Sequence, residues 1–151
     1  AVGAKCIVDT SGPALQALKG KHAYLIKPNI SELCKMLHID WLDKADVPNA
    51  AQQAIADGFA EIIVVSMGPD GAWMVSKDHR YFVPAPPVEK KSTVGAGDSM
   101  VAGITYMLQK NMPLRDAIRF GVACGSAATM NDGTQLFKKE DAGKLFAIIN
   151  A

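Results

Sequence analysis

The chain has 151 residues, of which 49% are apolar and 21% charged, with a formal net charge of +1. That length and composition suit a globular domain with a real core, and the near-neutral charge argues against the basic footprint of a nucleic-acid partner. No apolar run reaches the roughly 18 residues of a membrane span, and the opening AVGAKCIVDT lacks the charged and apolar regions of a signal peptide.

In chain order, CIVDTSG (6–12) reads as a buried strand ending in a turn, and PALQALK (13–19) as a short helix with proline in its first turn. AYLIKPN (23–29) is a second strand, stopped by Pro28, which has no ladder N–H. Helices are expected over 31–37 and 48–57, the latter ending at Gly58. EIIVVSMG (61–68) holds four consecutive β-branched residues, Ile62 to Val65, and reads as a central strand buried on both faces. GPDG (68–71) is a turn. AWMVS and RYFVP form a hairpin around 77–79, and PAPPVEKK is an irregular connector. Helices over 97–110, 114–130 and 139–149 finish the chain; Leu114, Ile118, Val122 and Ser126 form one stripe of the second. Strands alternating with helices imply an α/β fold, a mostly parallel sheet flanked by helices. Ligands of such sheets sit beyond the carboxyl ends of the strands, where the loops 9–12, 27–32 and 66–71 fall.

The cysteines, Cys6, Cys34 and Cys124, have neither paired nor metal-like spacing. Each falls in an expected strand or helix, so all three are expected to be small buried thiols in a reducing cytoplasm.

Several motif classes are absent. There is no GxxxxGK[ST], no completed GxGxxG after Gly95 and Gly97, no HRD or DFG, and no zinc spacing. The stretch STVGAGDSMVAG (92–103) nevertheless carries chemistry. Gly95 and Gly97 let the backbone turn tightly and approach a ligand. The first amides of the following helix lack intrahelical partners and, with the helix dipole, attract an anion. Asp98 would be repelled by that anion unless it served to take a proton from an attacking hydroxyl. Phosphoryl transfer to an alcohol needs both functions together. The plainer alternative is that Asp98 only complements the helix dipole.

Other motifs divide in the same way. In KPNISEL (27–33), Asn29 and Glu32 have capping-box spacing, or Glu32 holds magnesium through water. SMGPDG (66–71) is a hairpin turn, or a close approach of backbone to a nucleotide. The small residues of GVACGSAAT (121–129), before NDGTQ (131–135), permit close helix packing or leave room for a flat base. Lys90 and Lys91 read as solvated charges of the connector.

The order of these pieces is more specific than any one of them. STVGAGDSMVAGIT, KPNxxE, VVSMGPDGA and FGVACGSAATMNDGTQ resemble, in order and spacing, the signatures of the ribokinase-like, or pfkB-type, sugar kinases, and the resemblance covers essentially the whole chain. It implies that Asp98 is the catalytic base and that Gly95, Ala96 and Gly97 form an anion hole. It implies that Asn29 and Glu32 bind magnesium and that Lys27, Asn29, Ser66, Gly68 and Gly71 meet ATP. Ser92, Val94, Ala128, Asn131 and Gly133 match loops that hold a monovalent cation, K+, and border the adenine pocket.

The implied reaction is phosphorylation of a sugar phosphate by ATP, fructose 6-phosphate to fructose 1,6-bisphosphate, with fructose 1-phosphate and tagatose 6-phosphate as alternative acceptors. A non-catalytic nucleotide-binding module and an inert fragment are the alternatives of another class. The family's chain is about twice this length. Residues 1–151 are therefore expected to be its ATP-binding C-terminal portion, without the sugar-binding half and its lid. The resemblance also implies a homodimer for the full-length protein, and an exposed sheet edge would make the fragment prone to association.

Overall fold

The computed structural model describes residues 3–151. Five strands, β1 (Ile7–Val8), β2 (Ala23–Ile26), β3 (Ala60–Ser66), β4 (Gly71–Ser76) and β5 (Arg80–Pro84), lie in one sheet in the order β1-β2-β3-β4-β5. The first three are parallel, with Ile7 opposite Leu25 and Leu25 opposite Ile62. Among the described residues six α-helices accompany them: α1 (Gly12–Gln16), α2 (Ile30–Leu37), α3 (Val47–Ala56), α4 (Ala96–Gln109), α5 (Leu114–Thr129) and α6 (Lys139–Asn150). The α/β class and nearly every expected element are present. No helix among the described residues is long and apolar enough to cross a membrane.

The chain divides into two compact units. The first runs to Met67 and takes in Trp73–Phe82. Its core joins Ala23, Ile26, Ile63, Val65 and Val75 of the strands to Leu15, Leu33, Met36, Val47, Ala51 and Ala54 of α1, α2 and α3. Residues of the opposite alternation, Leu25, Ile62, Val64 and Met74, are buried as well. That explains the unbroken apolar run of β3, which has no solvent face to keep polar.

Two expectations fail at its start. β1 covers only Ile7–Val8, because Asp9, Thr10 and Ser11 leave the ladder and Ser11 becomes the extended N-cap of α1. Cys6 is exposed rather than buried, ahead of that short strand; Cys34 and Cys124 are buried as expected. α1 also ends early: Leu18 and Lys19 donate to Leu15 and Gln16, three residues back, so the chain tightens into a turn.

The second unit comprises Gly68–Ala72 and Val83–Ala151. α4 and α5 approach closely because their contact positions lack side chains. A Cβ on Gly121 would lie 2.5 Å from Ile104 Cγ1, one on Gly103 2.8 Å from Cys124 Sγ, and one on Gly125 3.1 Å from the Ala96 carbonyl oxygen. Ala123, Cys124 and Ala127 pack with Ala142 and Leu145 of α6. Of the stripe expected on α5, Ile118 and Val122 are buried, whereas Leu114 and Ser126 are only partly so. The helix is buried on more than one side, so a single stripe under-describes it.

Candidate functional site

In the second unit, the site residues gather where the connector enters α4. The amides of Lys91 and Ser92 both donate to the Thr129 carbonyl, at 2.8 and 3.2 Å. The Ser92 hydroxyl donates to the Gly133 carbonyl (2.9 Å) and accepts from the Val94 amide (3.2 Å). Asn131 is buried, and its Nδ2 donates to the carbonyls of Ala127 (3.2 Å) and Leu136 (3.1 Å), while its own amide donates to Ala128 (3.3 Å). Ser92, Val94, Ala128, Asn131 and Gly133, expected in one place, are thus tied together, largely through carbonyl oxygens. A Lys91–Asp132 contact at 3.8 Å spans the same loops. Both side chains are well exposed, so it contributes little.

Gly95 is the N-cap of α4, at φ +76°, a left-handed conformation that glycine adopts without strain. Its missing Cβ would also lie 2.9 Å from Leu136 Cδ2. No side chain caps α4. The Ala96 amide donates to the Thr93 carbonyl at 3.3 Å, and the regular ladder begins with Ser99 donating to Gly95 at 2.9 Å. Between them, the amides of Gly97 and Asp98 make no hydrogen bond among the described residues. The carboxylate of Asp98 is exposed in this first turn, and no described side chain pairs with it. Two open amides and an unpaired carboxylate therefore share one helix start. That arrangement can receive an anion and a proton within a few ångströms of each other.

Gly68 and Gly71 differ in kind. Gly71 has φ +115°, and a Cβ there would lie 2.1 Å from the Val83 carbonyl oxygen; around Gly68 there is open space. Crowding by the chain's own backbone accounts for glycine at 71.

In the first unit, the ends of β2 and β3 bring Lys27, Asn29 and Ser66 together. Asn29 forms an isolated parallel bridge with Ser66, whose amide donates to the Pro28 carbonyl at 3.0 Å. The capping box is present: Asn29 Oδ1 accepts from the Glu32 amide (2.8 Å) and Glu32 Oε2 accepts from the Asn29 amide (2.9 Å). Lys27 is buried, with Nζ 3.4 Å from Asp9 Oδ2. The sequence reading missed Asp9, because nothing local couples it to a residue eighteen positions on.

The oxygen-rich donor sets fit hard cations. Glu32 keeps its second carboxylate oxygen clear of the capping box, which suits a hydrated magnesium ion. No cluster of three or more acidic, His or Cys residues suited to a metal exists among the described residues. A magnesium ion here would therefore rely on water and phosphate oxygens as well as protein.

The family model for pfkB family carbohydrate kinases matches residues 2–141. The chain is 45% identical over 149 residues to the ATP-dependent 6-phosphofructokinase isozyme 2 of Escherichia coli K12, covering 98% of this chain and 48% of that protein. It is 36% identical over 129 residues to the 1-phosphofructokinase of Borreliella burgdorferi, covering 83% of this chain and 41% of that one. The crystal structure of phosphofructokinase-2 from Escherichia coli in complex with potassium superimposes with a TM-score of 0.92 at 44% identity, over 97% of this chain and 48% of that chain. The chain spans about half the length of the curated relatives it matches, and its fold is ribokinase-like. From the motif order, the matched model and the shared fold, the chain belongs to the pfkB family of carbohydrate kinases.

Proposed function

We propose that this chain is the nucleotide-handling part of an ATP-dependent kinase that phosphorylates a hydroxyl of a sugar phosphate, with fructose 6-phosphate as acceptor and fructose 1,6-bisphosphate as product. The observation that carries the reading is the start of α4, where the open amides of Gly97 and Asp98 meet the unpaired Asp98 carboxylate. The amides and the helix dipole hold the moving phosphoryl group as its charge redistributes. The Asp98 carboxylate takes the proton of the acceptor hydroxyl as its oxygen bonds to the γ-phosphorus, and ADP leaves with the bridging oxygen.

Gly95 and Ala96 shape this cradle. In the first unit, Lys27, Asn29 and Ser66 are assigned to the nucleotide; in the second, Gly68, Gly71, Ser92, Val94, Asn131 and Gly133 are. Glu32, held by Asn29, organises a hydrated magnesium ion, which supplies charge neutralisation on the phosphates when bound. The neutral oxygens around Ser92, Val94, Ala128, Asn131 and Gly133 suit potassium, and the matched relative crystallised with that ion supports this assignment. The sugar contacts belong to the part of the family's chain that these 151 residues do not match. Cytoplasmic location and a homodimer belong to the same reading; light scattering after size exclusion tests the latter.

The test is Asp98→Asn, made in a protein that joins this chain to the sugar-binding half and assayed with MgATP and fructose 6-phosphate, fructose 1-phosphate or tagatose 6-phosphate. The expected loss in kcat is at least about 10²-fold, with MgATP affinity little changed. Wild-type turnover by the variant removes Asp98 as base. A faster rate on either other sugar phosphate corrects the acceptor and leaves the mechanism standing.

A further inference from the structure

Lys27 is a buried cation with more donors than partners. β1 and β2 run parallel with Ile7 opposite Leu25 and Val8 opposite Ile26. Continuing that register past the strand ends brings Asp9 opposite Lys27, and the two side chains meet there, Nζ to Oδ2, at 3.4 Å. The Lys27 side chain is only 7% exposed, whereas that of Asp9 is 28% exposed. An ammonium carries three N–H donors. Among the described residues, Asp9 is its one ionic partner, and no hydrogen bond takes its other donors. A cation so far from water needs its charge balanced and its donors occupied. One long contact to one carboxylate does the first and leaves the second undone. The carboxyl end of parallel strands is also where ligands of such sheets enter.

We propose that Asp9 is a positioning residue: it holds the Lys27 ammonium aimed so that its spare donors meet the phosphates of a bound nucleotide. The inference rests on the assignment of Lys27 to the nucleotide made above, and adds to it the group that holds the lysine in place. A lysine acts on phosphate as a point charge on a flexible stem. An anchoring carboxylate therefore limits where that charge can go.

The 151-residue chain is titrated calorimetrically with MgATP and, separately, with adenosine, which lacks phosphates. Asp9→Asn is expected to weaken MgATP binding about tenfold, the scale of one charge-assisted hydrogen bond, and to leave adenosine binding within about twofold. Asp9→Glu, which keeps the charge, is expected to recover most of the MgATP affinity. Lys27→Met is expected to lose at least as much as Asp9→Asn, and the double variant no more than Lys27→Met alone.

If Lys27→Met leaves MgATP binding unchanged, the assignment of Lys27 is wrong and the inference goes with it. If Lys27→Met weakens MgATP binding but Asp9→Asn does not, only the positioning role falls. Equal losses for MgATP and adenosine would make the pair structural and overturn the inference. Asp9→Ser is the second neutral variant should Asp9→Asn not fold; failure of both to fold would overturn it too.

Discussion

Replacing Gly71 with alanine should remove a large share of the stability of the folded chain. The position has φ +115°, and a Cβ built there would lie 2.1 Å from the Val83 carbonyl oxygen, 2.7 Å from the Ala85 nitrogen and 2.9 Å from the Pro84 carbonyl carbon. Non-bonded carbon contacts sit near 3.5–4.0 Å, so relieving the closest contact requires the end of β5 to retreat by about 1.4–1.9 Å. All three obstacles are main-chain atoms, which cannot rotate aside, and the Ala85 amide is tied to the Asp70 carbonyl at 3.3 Å. Overpacking of this kind costs about 1–3 kcal/mol, and a side chain at so unfavourable a φ about 1–3 kcal/mol more. The expected loss is about 2–6 kcal/mol, against a total of about 5–15 kcal/mol for a typical domain. Gly68 is the control. It also has positive φ, +58°, but nothing lies within 4 Å of its Cβ position, so Gly68→Ala should cost only about 1–2 kcal/mol. Urea unfolding, followed by far-UV circular dichroism and by the combined fluorescence of Trp41 and Trp73, gives both values. If Gly71→Ala loses no more than Gly68→Ala, backbone crowding is not what requires glycine at 71.

Glu32→Gln keeps an acceptor for the Asn29 amide, so the capping box should survive with less than about 0.5 kcal/mol of change, while the magnesium concentration for half-maximal rate rises in the joined enzyme. An unchanged magnesium dependence would leave Glu32 with capping alone. The exposed Cys6 should react with a thiol reagent at mildly alkaline pH within the mixing time of the folded protein. Cys124, whose thiol burial pushes up to about 12, should react only on unfolding; a fast phase that survives Cys6→Ser would contradict this. The 151-residue chain should bind MgATP yet phosphorylate none of the three sugar phosphates, because positioning the acceptor can supply roughly 7–11 kcal/mol of barrier reduction. Turnover of any of them would put the acceptor contacts within these residues.

Much of the architecture is legible in the sequence. The β-branched run Ile62 to Val65 marks the interior strand, and Asn29 with Glu32 announces the start of α2. These signals depend on neighbours a few residues apart, so the sequence states them directly. GAGD likewise contains, in consecutive residues, the turn, the open amides and the carboxylate. That is why the candidate cradle could be named from the sequence; the structure puts a helix start at those residues, with Gly95 as N-cap and Asp98 in the first turn.

What only the tertiary structure decided involves residues far apart in the chain. The register of β1 on β2 sets Asp9 against Lys27. The return of β5 leaves no room for a side chain at Gly71. The small residues of α5, open to two readings as a string, serve close packing: Gly121 and Gly125 against α4, and Ala123, Cys124 and Ala127 toward α6. Cys6, apolar enough for a strand interior, lies outside because β1 is only two residues long. Local sequence specifies backbone preference and hydrogen-bonding chemistry over a few residues; register and close approach are set by the packing of whole elements, which no single stretch contains.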